Sequence, residues 1–254
     1  MKRKYLLIAL TSLLVAMSSC RSHYRLTDAK RTRILIDNRY DAQPDGEAAA
    51  FIAPYKHRVD SIMSPVMGET ARYLSAERPE SPLSNLLADI LVWGGKDYNE
   101  SPDLGVYNMG GIRAAFAKGK VTYGDVLDVA PFENKICFLS LKGDQLLALF
   151  QQMASRGGEG VSHGVNMVID ASGKLHSVKL HGKDIDPKAT YRVATLDYLA
   201  EGNDGLLAFK NKTDVVSPKT KENNVRFIIM NYFREQASKG KAVDAAVEGR
   251  VIVK

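Results

Sequence analysis

The chain has 254 residues, 45% of them hydrophobic and 25% charged. That is an ordinary globular composition, with enough apolar material for one sizeable core or two small ones. The formal charge of +6 is mild and dispersed, and no basic run is interleaved with aromatics, which excludes a binder of nucleic-acid polymers.

In chain order, "MKRK" is a basic n-region and Tyr5–Met17 an apolar run of 13 residues, shorter than the roughly 20 that a membrane-spanning helix needs. The pattern is that of a secretory signal over 1–19. Cys20, in "MSSC", fits the lipobox of bacterial lipoproteins, in which the cysteine is acylated and tethers the chain to a membrane surface. The expected location is therefore the cell envelope, on a membrane facing the periplasm. Loss of Lys2, Arg3 and Lys4 with the signal leaves 32 cations and 29 anions, or +3. With lipid on Cys20, Cys137 has no disulfide partner, and in the alternating run "KICFLSL" it is expected as a small buried hydrophobe.

Residues 20–46 read as a polar tether, within which "RILIDNRY" can pair as a strand. A domain is expected over 47–254. Apolar positions 48, 51, 52, 55, 59, 62 and 63 keep a helical period, with Pro54 in the first turn or at a kink. "SPVMGETARYL" predicts a strand. "SPLSNLLADILVWGG" predicts a helix: Ser81 caps it, Pro82 takes the first position, and Gly94-Gly95 stops it. Two more helices are predicted at "GDQLLALFQQMAS" and "NNVRFIIMNYFREQA". Strands are predicted at 134–141, at the hairpin "VNMVID-ASGK-LHSVKLHG", at "TYRVATL" and at "GRVIVK". Interspersed helices and hairpin strands argue for an α+β single domain on a mixed sheet, not a doubly wound parallel one.

None of the five histidines stands in H-x-H, H-E-x-x-H or Asp-x-His, so no metal-ligand spacing is present. "GVSHG" at 160–164 matches G-x-S-x-G, but its flanks are a glycine-rich loop before and a strand after. That is the reverse of a nucleophile elbow, and Ser162 reads as part of a turn. "NMGGIR" is different. Gly110 and Gly111 after a strand let the backbone approach a ligand, and Arg113 can grip phosphate or carboxylate. Alone, the motif reads equally well as a tight turn with a surface arginine. "VAPFEN" adds an aromatic, Phe132, in a loop, which alone reads more readily as a core anchor; "TLDYLAEGNDG" adds Tyr198 and Asp204, which alone read as a turn. Two rings can sandwich a planar base, an aspartate can accept from ribose hydroxyls and an arginine can hold phosphate. Together they outline a nucleotide site.

The order and wording of "RPESPLSNLLAD", "NMGGIR", "VTYGDVLDVAPFEN", "LKGDQL", "YRVATLDYLAEGNDG" and the closing helix resemble the C-terminal, substrate-binding domain of the 5'-nucleotidase / UDP-sugar hydrolase family, from about Pro54 to the end. The resemblance implies that Asn108, Gly110 and Arg113 contact the base and the phosphate side. It implies that Phe132 and Tyr198 (often Phe in the family) sandwich the base and that Asp204 binds the ribose. Arg78 lies near, though out of clean register with, an arginine the family places before the helix. Asn203 stands where a glycine is common, and Asn tolerates positive φ. The metallophosphatase blocks of full-length members (Asp-x-His, Gly-Asn-His-Asp/Glu, Gly-His-x-His) do not occur. No cofactor is therefore expected in this chain and it is expected to be a poor hydrolase alone; divalent metals are expected in a separate metallophosphatase partner. The alternative is a nucleotide-scavenging lipoprotein without catalysis.

Overall fold

A computed structural model of the chain describes residues 24–41 and 45–254. The signal segment and Cys20 lie outside the described residues. The described residues up to Phe51 fall in one unit and Ile52–Lys254 in a second.

In the first unit, residues 24–36 are exposed and carry no regular structure. The strand expected in "RILIDNRY" does not form. A 3₁₀ turn, Asn38–Tyr40, takes its end, with the Asp37 carboxylate accepting from the Arg39 N–H at 3.1 Å. A strand needs a partner ladder, and none runs beside this stretch among the described residues. Helix α1 (Gly46–Met63) starts two residues earlier than expected and runs through Pro54. Asp45 caps it, its carboxylate accepting from the Glu47 and Ala48 N–H groups, both at 3.0 Å. The apolar period is there, yet no residue of the helix is buried.

The second unit runs β1 (Val66–Thr70), α2 (Pro82–Gly94), β2 (Leu104–Tyr107), β3 (Gly119–Thr122), α3 (Tyr123–Val129), β4 (Ile136–Lys142), α4 (Gly143–Ser155) and β5 (Gly160–Val161). It continues with β6 (Val165–Ile169), β7 (Leu175–Leu180), β8 (Lys183–Asp184), β9 (Thr190–Leu196), α5 (Asp197–Ala200), β10 (Thr213–Val216), α6 (Val225–Ser238) and β11 (Val251–Val253). The predicted α4 and β9 match residue for residue. Helix α2 begins where Pro82 predicts, with the Ser84 hydroxyl accepting from the Ser81 N–H at 3.1 Å. It stops at Gly94-Gly95 as expected, without a left-handed glycine. Both glycines are right-handed, a 3₁₀ turn carries on to Tyr98, and the left-handed residue is Asn99 at φ 56°.

The α+β class holds, with the strands divided among three sheets. A five-stranded mixed sheet has the order β10-β4-β9-β2-β5, a four-stranded one β11-β6-β7-β8, and β1 pairs with β3. Phe138, Phe150, Phe209, Phe116 and Phe233 are fully buried around them, each contributing about 1.5–3 kcal/mol by leaving water. Gly105 of β2 lets α2 lie close, since a Cβ there would stand 2.3 Å from the Ala88 carbonyl oxygen.

Strand direction is what builds a site. β4 and β9 are antiparallel from Ile136 opposite Leu196 to Lys142 opposite Thr190, whereas β9 and β2 are parallel. The chain entering β4 and the chains leaving β9 and β2 therefore emerge at one end of the sheet. Those three segments carry Phe132, Tyr198 and Asn108.

Candidate functional site

At that end lies a slot of about 170 Å³ lined by Asn108, Gly110, Gly111, Phe132, Asn134, Tyr198 and Asp204. Pockets for whole drug-sized ligands are about 300–1,000 Å³, so this slot suits one ring system with the rest of the ligand outside. Six of its lining residues are those singled out from the sequence; Asn134 is the addition.

Asn108 leaves β2 and is buried. Its Nδ2 donates to Asp204 Oδ2 at 2.6 Å, and a carboxylate can only accept, so the orientation of the amide is fixed. Oδ1 is then a buried acceptor without a hydrogen-bond partner, a condition that costs about 1–3 kcal/mol. Gly111 makes the arrangement possible, because a Cβ there would sit 2.6 Å from that oxygen.

Phe132 and Tyr198 keep 49% and 40% of their surface exposed, and both line the slot. Each is anchored through its backbone. Arg226, in the first turn of α6 and buried, donates to the Ala130, Pro131 and Phe132 carbonyl oxygens at 3.1, 2.7 and 3.4 Å. The Val225 N–H donates to the Asn134 carbonyl oxygen at 2.9 Å. Asp197 Oδ1 accepts from the N–H groups of Lys135 and Tyr198, both at 2.9 Å, so one carboxylate ties both ring-bearing segments together.

Asp204 receives the Tyr198 hydroxyl on Oδ1 at 3.1 Å as well as Asn108 on Oδ2. Donation to that carboxylate, with burial second, pushes the Tyr198 phenol above its usual range. The backbone assignment made for Asn203 moves by one residue. Asp204 is the left-handed residue, at φ 55°, between Gly202 and Gly205 at 80° and 74°, while the Asn203 side chain donates to the Tyr198 carbonyl at 2.7 Å.

Arg113 is exposed beside the glycine corner, its guanidinium donating to the Gly110 carbonyl at 3.3 Å, and it does not line the slot. Nor does Arg78, which pairs with Glu159 at 2.6 Å and donates to the Gly158 carbonyl at 2.9 Å. Glu159, Arg156 and Arg226 escaped the sequence reading. Their partners lie as far as 96 residues away in the chain.

The rival chemistries recede. Ser162 is buried and its hydroxyl accepts from the Gly105 N–H at 2.8 Å. Cys137 is buried in β4 and burial pushes its thiol up, away from nucleophilic use. His163, His176 and His181 are held by Glu248, Asp170 and the Asp103 carbonyl. Among the described residues no three His, Cys, Asp or Glu side chains converge as metal ligands would, and no helix is long and apolar enough to cross a membrane.

Known proteins resemble the chain over most of its length. The profile of the family described as "5'-nucleotidase, C-terminal domain" matches residues 63–211. Protein UshA of Escherichia coli K12 is 26% identical over 224 residues, covering 87% of this chain and 39% of that protein. The 5'-nucleotidase of Vibrio vulnificus is 25% identical, covering 89% and 40%. The solved 5'-nucleotidase precursor from Thermus thermophilus superposes with a TM-score of 0.71 at 29% identity, covering 84% of this chain and 44% of that one. The chain thus spans about two fifths of the length of these relatives.

Proposed function

Because the chain belongs to the family of 5'-nucleotidase C-terminal domains, we propose that it is the nucleotide-binding half of a split, exported 5'-nucleotidase. In this reading a base slides between Phe132 and Tyr198, each stack contributing about 1–3 kcal/mol. Asp204 accepts from the ribose hydroxyls: a carboxylate has about four acceptor positions, and Asn108 and Tyr198 take two. Asn108 Oδ1 accepts from a ligand N–H or O–H and so relieves its buried orphan state. Arg113, exposed beside the corner, meets the phosphate side; Arg78 stands farther back behind Glu159.

The single observation that carries the reading is the slot itself, where two half-exposed rings, a diglycine corner and a hydrogen-bonded aspartate from three separate segments meet. Phosphoester hydrolysis also needs an activated water and charge neutralisation at phosphorus, and a metallophosphatase chain with bound divalent metals is the proposed source of both. Acylated Cys20 is the proposed tether to a periplasm-facing membrane.

Two measurements test this. Calorimetric titration with AMP is expected to show binding that Phe132→Ala and Tyr198→Ala each weaken about tenfold or more, the loss of one stack. Phosphate release from AMP, with Mn²⁺ and the metallophosphatase encoded nearest the gene, is expected to rise when this chain is added. AMP binding without any rise would leave a scavenging lipoprotein and end the split-enzyme reading.

A further inference from the structure

We infer that Glu159 is the positioning residue of the slot, acting on Asp204 through Arg156 and on the glycine corner through the Met109 N–H. Its side chain is fully buried. Arg78 Nη2 and Arg156 Nε reach Oε1, each at 2.6 Å. The Met109 N–H donates to Oε2, also at 2.6 Å. Arg156 Nη2 in turn stands 3.9 Å from Asp204 Oδ2, the oxygen that receives Asn108. One carboxylate therefore joins the segment before α2, the turn after β2, the end of α4 and the loop after α5.

A buried carboxylate is held against its desolvation cost only when charge-assisted donors fill its acceptor positions. Stability alone would be served as well by apolar packing there. What the ionic arrangement adds is direction. The Met109 amide fixes the turn that presents Asn108 and Gly111. The shared carboxylate leaves the two arginines with one unneutralised positive charge, and Arg156 brings it within 3.9 Å of Asp204 Oδ2. Asp204 is thereby aimed, without Glu159 touching the ligand.

The inference rests on the proposed ribose role of Asp204, and the test separates the two. Affinities for AMP and for an AMP analogue lacking both ribose hydroxyls are measured on the full chain and on Glu159→Gln, alongside thermal melting. The unaltered protein is expected to favour AMP by about tenfold or more, the worth of one hydrogen bond to a charged group. Glu159→Gln is expected to erase that preference while leaving the analogue's affinity within about threefold, because base stacking needs no carboxylate. If Glu159→Gln fails to fold, Arg156→Gln carries the same test, since it leaves Glu159 paired with Arg78 and Met109. A preference retained in the folded variant overturns the positioning role and leaves the nucleotide reading standing. An unaltered protein that binds neither ligand overturns the nucleotide reading first.

Discussion

Residue by residue, the slot rests on side chains whose neighbours forbid alternatives. Gly111→Ala would push a methyl group onto Asn108 Oδ1, 2.6 Å away, and the amide, already committed to Asp204, has nowhere to turn. Affinity for AMP is expected to fall about tenfold or more, equal to one misaligned charge-assisted bond, with melting little changed; calorimetry and differential scanning fluorimetry read the two effects. Ser162→Ala is expected to do the opposite. It strips the buried Gly105 N–H of its acceptor and costs about 1–3 kcal/mol in a urea titration, while AMP binding is unaffected. Phe132, Tyr198, Asn108 and Asp204 were legible in the sequence through the order of the blocks that resemble the family, since each loop alone reads equally well as an ordinary turn. Glu159 was not. A lone glutamate after two glycines looks like solvated loop until Arg78 and Met109 arrive from 81 and 50 residues away.

Among the elements, α6 does two jobs. It packs Phe233 against Phe116, ring centroids 5.2 Å apart, and its first turn clamps the Phe132 loop through Arg226. Arg226→Met keeps the apolar stem but removes three carbonyl contacts, so AMP affinity is expected to drop more than stability does. Strand β11 is fastened differently. Arg250 is buried between Asp89, Glu248 and the Val161 carbonyl. Asp89 is more than a third exposed, which screens the ion pair, so Arg250→Ala is expected to cost about 1–3 kcal/mol, chiefly for the orphaned carbonyl. The Glu248 carboxyl is held below its usual range, first by His163 and then, against burial, by Arg250. A depressed carboxylate contributes stability above its unfolded value near 4.5 and loses it as pH falls. Melting temperature should therefore drop below pH 4.5 by less in Glu248→Gln than in the unaltered chain.

For the protein as one body, ligand binding and folding are linked by mass action. AMP at a hundredfold excess over its dissociation constant should stabilise the fold by about 2.7 kcal/mol. Phe132→Ala should cut that shift to about half or less yet leave the ligand-free melting temperature nearly unchanged, because half of the ring already lies in water. A large loss of stability in that variant would make Phe132 a core residue and remove one wall of the proposed sandwich.

Local patterns along the chain were enough to specify the longer elements, and the order of the resembling blocks pointed to most of the candidate residues. Helical and alternating periods placed α4 and β9 to the residue, and turn chemistry started α2 at Pro82, because those signals are carried by neighbours within a few positions. Other outcomes depended on contacts remote in the chain: the strand candidate in "RILIDNRY" finds no partner among the described residues, Asp204 rather than Asn203 takes the left-handed backbone, and no residue of α1 is buried. The slot is another. The mixed directions of β2, β4 and β9 bring three distant loops to one edge. The buried Glu159 and Arg226 then hold those loops through hydrogen bonds whose partners are remote in the chain, a coupling that no short pattern of residues can express.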